Sequence, residues 1–303
     1  MTENKGFIFL GDIIKLPEEI KEYQIIQGYV LKKANQNQVE EIRKYIGESG
    51  HVNFYKIKYE SIVQKNEDHV DYKPSDDFHD WNYWIIEHNE KQSRYNIKLA
   101  LLLAKINLFT LFEKLPDTGT IHQQYAYHNF ITENIGVHNV KEISQTDLDE
   151  IQKIYNLLTK IDEENYPYID KSVKDYMHLQ TIPRRTPFYV LGMFSILEAL
   201  LVSNSEEVSI SHQLKTKISL LNNRFDTPID FSDYFGKTNY NKVITLLYNY
   251  RSNIAHGNFS DFNGKLQVLV KPEHVSKVIH NILKATLKQA LIEPQLITDL
   301  KNC

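Results

Sequence analysis

The sequence predicts an α+β protein: a mixed N-terminal domain over residues 1–145, followed by an all-α helical bundle over residues 146–303. Three observations carry this. In the first part apolar residues come in short, strand-length runs between helical stretches, whereas from residue 146 they recur almost entirely at helical spacing. The 303 residues include only nine Pro and 11 Gly, which favours long regular elements over a loop-rich sandwich. At 42% hydrophobic and 24% charged, the composition is that of a folded globular chain long enough for two cores.

Taken in order, GFIFLGDIIKL and EYQIIQGYVLKKA read as strands joined by PEEIKE. In NQVEEIRKYIGESG, Val39, Ile42 and Ile46 share a helical face and Gly47 is the stop. VNFYKIKYESIV alternates as a strand does, and the polar stretch QKNEDHVDYKPSDDFHD after it reads as a loop. WNYWIIEH is a further strand. SRYNIKLALLLAKINLFTLF fits either one long apolar helix or a helix passing into a strand.

From residue 146 five helices are expected. SQTDLDEIQKIYNLLTKI opens on a capping signal and sets Leu148, Ile151, Ile154 and Leu158 on one face. TPFYVLGMFSILEALLV is apolar nearly all round and belongs at the centre of the bundle. SISHQLKTKISLL is a shorter amphipathic helix, and TNYNKVITLLYNYRSNIAHG is the fourth. KPEHVSKVIHNILKATLKQALI is the fifth, with Pro272 where a first turn accepts it. Short links between such helices describe a bundle.

The net charge of −4 excludes a global nucleic-acid signature. From Arg184 to the end, however, 14 Lys and Arg face 10 Asp and Glu, a net of +4 against −8 over residues 1–183. That surplus is modest. Cys303 is the single cysteine, so disulfide scaffolds, thiolate zinc sites and cysteine catalysis are not expected. The N-terminus lacks a basic region followed by a sustained apolar one, and the longest apolar run is interrupted by Glu198. A soluble, cytoplasmic protein with no membrane contact is expected.

The stretch YNYRSNIAHGN, residues 248–258, carries the functional signal. With Val243 at zero on a helical wheel, Tyr250, Ile254, Leu247, Ile244, Ala255 and Tyr248 fill an arc from about −20° to +140°. Arg251 falls at about 80°, in the middle of that arc. An unpaired guanidinium there costs several kcal/mol, so it needs a carboxylate or a ligand phosphate. Glu198, the one charged residue of the helix Thr186–Val202, is the candidate partner. Either the two form a structural pair, or Glu198 orients an arginine whose other donors face a cavity. His256 lies off the arc at about 220°, and Gly257 is the expected helix stop. In a regular helix Arg251 and His256 diverge by about 140°. They converge only if the helix ends or kinks between them, or if a second copy faces the first.

LLYNYRSNIAHG resembles the Arg-x4–6-His signature of the HEPN superfamily (higher eukaryotes and prokaryotes nucleotide-binding domains). It is most similar to the Apea-like branch, and FSILEALL with Glu198 and SISHQLKTKISLL fit the same order. The resemblance has its core at residues 185–292 and leaves the role of residues 1–145 unassigned. It implies a helical, usually dimeric domain that often acts as a metal-independent endoribonuclease in antiviral, toxin or stress roles. The two motifs then meet across the dimer. On this chain it makes Arg251 the phosphate stabiliser and His256 the general acid/base, supported by Glu198, Tyr250, Ser252 and Asn253. No cofactor and no metal are implied; RNA, a second copy of the chain and a regulatory protein are the expected partners. Ser252 departs from the Asn, Asp or His often found after the arginine. The alternative is a catalytically inactive module that binds RNA, nucleotide or a protein partner.

Other constellations point elsewhere. His122 and His128 are six residues apart, and His274 and His280 lack the i, i+4 spacing of paired helical ligands. FLGDIIK and YFGKTNY contain no full phosphate loop. Pro183-Arg184-Arg185 reads as a solvated helix start or an RNA-backbone contact. DWNYWIIEH reads as a core strand before a base-stacking surface.

Overall fold

The strand β1 (Gly6–Leu10) is buried at every position, as its uninterrupted apolar sequence requires of a strand covered on both faces. It lies inside a six-stranded sheet with β3 (Glu22–Ile26), β4 (Tyr29–Lys33), β7 (Trp84–His88), β8 (Thr110–Lys114) and β9 (Ile121–Gln123). The order is β3-β4-β7-β1-β8-β9, and every neighbouring pair is antiparallel. This computed structural model describes all residues except 1–4, 47–58, 64–69, 75–80, 90–93, 117, 125–126, 128–139 and 204–207. The chain divides into two compact units, Met1–Asn156 and Leu157–Cys303. The α+β class is that of the whole chain: an antiparallel sheet in the first unit, helices in the second.

Both sequences expected to form single strands are broken. EYQIIQGYVLKKA folds back on itself as β3 and β4, because Gly28 accepts a φ of 85° in a two-residue turn. GFIFLGDIIKL turns at Asp12, whose fully buried carboxylate accepts from the Phe109 N–H at 2.7 Å and faces Lys141 Nζ at 2.7 Å. That turn sends β2 (Ile13–Lys15) away to pair in parallel with β10 (Val140–Glu142). Val70–Pro74, expected as loop, is the strand β6, paired with β5 (Tyr59–Val63) as a separate ribbon. The remainder of the predicted strand, residues 52–58, lies outside the described residues. SRYNIKLALLLAKINLFTLF is a helix, α2 (Tyr95–Leu103), that passes into β8 through a reversal with Asn107 at φ 52°.

The register sorts the two sheet faces. Phe7, Phe9 and Phe112 share one face with Tyr45 of α1 (Gln36–Ile46), whose ring lies 4.7 Å from that of Phe112. On the other face Glu113 is buried and contacts His88 Nε2 at 3.3 Å, Lys98 Nζ at 3.2 Å and Arg94 Nε. Burial works against the Glu113 charge. The His88, Lys98 and Arg94 contacts outweigh it and hold the carboxyl below its ordinary range. Helix α3 (Gln145–Leu158) has the expected cap: Ser144 Oγ accepts from Asp147 N at 3.2 Å, and Asp147 Oδ2 accepts from Ser144 N at 2.9 Å. Leu148, Ile151, Ile154 and Leu158 are buried as predicted. Almost all of α3 falls in the first unit, where the Tyr155 ring lies 6.4 Å from Tyr29.

In the second unit α5 (Pro187–Leu201) contacts four longer neighbours and a short terminal helix. These are α4 (Pro167–Leu179), α6 (Ile210–Asn222), α8 (Tyr240–His256), α9 (Pro272–Ile292) and α10 (Pro294–Asn302). A short helix, α7 (Ser232–Phe235), precedes α8. Helix α4 was not expected, although Ile169, Val173, Tyr176 and Met177 give it a buried stripe. It approaches α5 closely at Gly192, where a Cβ would lie 2.5 Å from Leu179 Cδ1. Two lysines satisfy carbonyls at the end of α5: Lys217 donates to Leu201 O at 2.9 Å and Lys301 to Ala199 O at 2.5 Å. No helix among the described residues is long and apolar enough to cross a membrane.

Buried Tyr176 and His280 Nε2 form a 2.9 Å hydrogen bond between α4 and α9. Desolvation by burial, then the charges of Arg184 and Lys284, push His280 well below its ordinary range. The folded state thus disfavours a proton that the unfolded chain takes up near pH 6.5. The stability tied to neutral His280 is complete above about pH 6.5 and declines below it, by up to about 1.4 kcal/mol per pH unit. Urea unfolding between pH 7 and pH 5 should show that decline, and His280→Gln should flatten it. An equal slope in both proteins contradicts the assignment.

Candidate functional site

Helix α8 begins at an Asn239 cap, whose Oδ1 accepts from Asn241 N at 2.9 Å, and runs without interruption to His256. It stops at Gly257, which takes the left-handed conformation with φ 68°, as the sequence predicts for that position. Val243, Ile244, Leu247 and Tyr250 form its buried stripe. Two contacts fix its direction against α5. The rings of Phe194 and Tyr248 lie edge-on at 6.4 Å, and Glu198 pairs with Arg251. Moving four residues along α5 therefore corresponds to moving three along α8 in the same sense, so the two helices are parallel. Their C-terminal ends, which carry partial negative charge, lie together, and Arg251 supplies a cation there.

Arg251 Nη2 donates to Glu198 Oε2 at 2.8 Å. The pair is neither enclosed nor free: the Arg251 side chain is 20% exposed and that of Glu198 17%. The Tyr248 ring flanks the guanidinium at 5.7 Å. Burial, reinforced by the Glu198 charge and opposed by Arg251, raises the Tyr248 hydroxyl above its ordinary range. Among the described residues, Arg251 Nε and Glu198 Oε1 have no hydrogen-bond partner. The contact is thus a single hydrogen bond and not the bidentate fork that arginine and carboxylate can form. It fixes the guanidinium at one end; Arg251 Nε and Glu198 Oε1 are themselves buried, so a second anion would meet the rest of the guanidinium.

The other predicted residues divide. Ser252 and Asn253 are half-buried beside Arg251, and the Asn253 side-chain amide reaches Phe259 O at 3.5 Å. His256 is exposed. Because the helix is regular through that position, the structure does not bring His256 of the same chain to Arg251; the two leave the axis about 140° apart. Tyr250 is 3% exposed and packs edge-on against Phe262 at 5.1 Å, so it belongs to the core. The tyrosine at the guanidinium is Tyr248, which on the helical wheel is simply one of the apolar arc. Its i, i+3 spacing to Arg251 was the available signal.

Of the other constellations, Arg184, Tyr83, Trp84 and His280 are engaged in the fold. Arg184 donates to Gln180 Oε1 at 2.7 Å and lies over the Tyr189 ring, whereas Arg185 is exposed. Tyr83 and Trp84 are core residues. His280 is taken up by Tyr176, and His128 lies outside the described residues. Among the described residues no three His, Cys, Asp or Glu side chains gather as a metal site would require.

Removing either member of the Arg251–Glu198 pair should destabilise the chain by about 1–3 kcal/mol, since the remaining charge loses its hydrogen bond. The double variant E198A/R251A should lose less than the sum, with a coupling of about 0.5–3 kcal/mol in urea unfolding. A coupling indistinguishable from zero contradicts the pairing. Compared with family models, curated proteins and solved structures, the chain gives no match, so the assignment of the site rests on its residues and their geometry.

Proposed function

We propose that the chain is a metal-independent endoribonuclease of the HEPN type. It acts in the cytoplasm, in antiviral defence, as a toxin or in a stress response, and works as a homodimer through its helical unit. The observation that carries this reading is the state of Arg251. It is held at one end by Glu198 at 2.8 Å, flanked by Tyr248, and still partly open to solvent on the helix that ends in an exposed His256. Because part of the Arg251 side chain stays in solvent, a second anion can approach it.

In this reading the RNA's own 2′-OH attacks the adjacent phosphorus and the bond to the 5′ oxygen breaks. The products carry a 2′,3′-cyclic phosphate and a 5′-OH. Arg251 stabilises the charge that gathers on the phosphoryl oxygens. Histidine is suited to take the 2′-OH proton or to return one to the leaving 5′ oxygen near neutral pH. Since Arg251 and His256 of one chain diverge, the reading requires a second copy facing the first, so that the two motifs complete one another. Ser252 and Asn253 supply further hydrogen-bonding groups beside the phosphate. A non-cleaving module that binds RNA, nucleotide or a protein is the second reading. It is favoured by Ser252, which stands where the resemblance leads one to expect Asn, Asp or His.

Purified protein incubated with total RNA or tRNA in EDTA should cleave it. His256→Ala should lower the rate about 10²–10⁴-fold, the range of a lost general acid or base. Arg251→Ala should also abolish most of the activity. Binding without cleavage by the wild type moves the assignment to the non-cleaving module, and metal-dependent cleavage indifferent to His256 overturns it.

A further inference from the structure

The chain leaves α8 through a turn that is pinned on both sides. Upstream, Gly257 N donates to Ile254 O at 3.2 Å and Asn258 N to Asn253 O at 2.8 Å. Downstream, Phe262 packs on the buried Tyr250 ring, Asn263 N donates to Asp261 Oδ1 at 3.0 Å, and Leu266 N to Asp261 O at 2.9 Å. Between these anchors Phe259 is 87% exposed. Its backbone carbonyl is the one reached by the Asn253 side chain, so the ring is carried on a turn tied to the residues of the candidate site.

Isolated exposed apolar side chains are common and require no explanation by themselves. Phe259 differs in its position. Phe262, three residues on, turns inward onto Tyr250, while Phe259 remains outside next to the helix end that carries Arg251 and His256. Its flanking residues, Asn258 and Ser260, are polar and uncharged, and Asp261 is engaged in the turn itself. Phe188, at 65% exposure, does not belong to the same spot. It lies ten residues N-terminal to Glu198 on α5, about 15 Å of helix away.

We infer that Phe259 is a stacking platform for one unpaired base of the RNA strand whose phosphate Arg251 holds. The nucleotide that stacks there must therefore be unpaired. This rests on the proposed function. A flat aromatic face accepts any base without reading its identity, and a ring on a pinned turn loses little freedom when it does so. A duplex keeps its base faces stacked on one another and offers none to Phe259.

The probe is a fluorescein-labelled 12-nucleotide RNA carrying 2′-O-methyl groups, which blocks the attacking hydroxyl and leaves bases and phosphates in place. Its affinity is compared with that of the same strand annealed to its complement. Wild type should bind the single strand more tightly than the duplex, and Phe259→Ala should weaken single-strand binding about 5- to 150-fold. Phe259→Trp should retain binding, and its indole emission should be quenched as the strand is added. Sedimentation of wild type and Phe259→Ala is measured in parallel. Single-strand binding by Phe259→Ala equal to wild type overturns this inference alone. So does a shift of that variant to a smaller species with RNA affinity unchanged, which would make the occupant of Phe259 a second copy of the chain. Failure of the wild type to bind either probe withdraws the proposed function and this inference with it.

Discussion

Two charged residues sit where the helical pattern calls for apolar ones, and each is the other's solution. Arg251 lies in the middle of the apolar arc of α8, and Glu198 interrupts an otherwise apolar α5. Either alone would be a charge with too little water and no partner. Together, at 2.8 Å, they fix the register of two parallel helices, and the Phe194–Tyr248 contact one turn earlier sets the same register with apolar surface. A core made of such pairs is seldom more stable than one made of hydrocarbon. What the pair provides here is position: a guanidinium held at one end, near a surface, at the end of the helix.

Within one chain that geometry keeps the two candidate groups apart. A helix kinked between Arg251 and His256 would let one chain assemble both groups, but α8 is regular to its last residue and Gly257 reverses the chain only after His256. The pairing of cation and imidazole therefore depends on what faces this end of the bundle. The parallel arrangement of α5 and α8 brings two helix C-termini to the same place, and their partial negative charges favour cations there.

Much of this was legible from local pattern. The stop at Gly257, the burial of Leu148, Ile151, Ile154 and Leu158, the Ser144–Asp147 cap and the pairing of Arg251 with Glu198 all follow from helical periodicity or from a charge out of place. The misses have equally local causes. Gly28 lies between strand formers, so local pattern places it within a strand, although its own freedom at positive φ is what makes the hairpin. The stripe of α4 was present, but its neighbouring Tyr and Asp residues obscured it. What could not be read is what depends on distant residues. The Glu113 cluster joins side chains from β7, β8 and α2, and no spacing within one segment announces it. The exchange of Tyr250 for Tyr248 at the guanidinium is of the same kind. Both are aromatic residues beside Arg251, and only the placement of α5 decides which one meets it.

The proposed chemistry assigns the attacking group to the RNA, and a fixed cation and a proton-transfer group to the protein. It is tested most directly with a short RNA that the protein cleaves, compared with the same strand carrying a single 2′-deoxynucleotide on the 5′ side of the scissile phosphate. The account predicts that cleavage at that bond stops while cleavage elsewhere in the strand continues. Cleavage of the deoxy-substituted bond at a comparable rate would contradict it, because the nucleophile would then have to come from elsewhere.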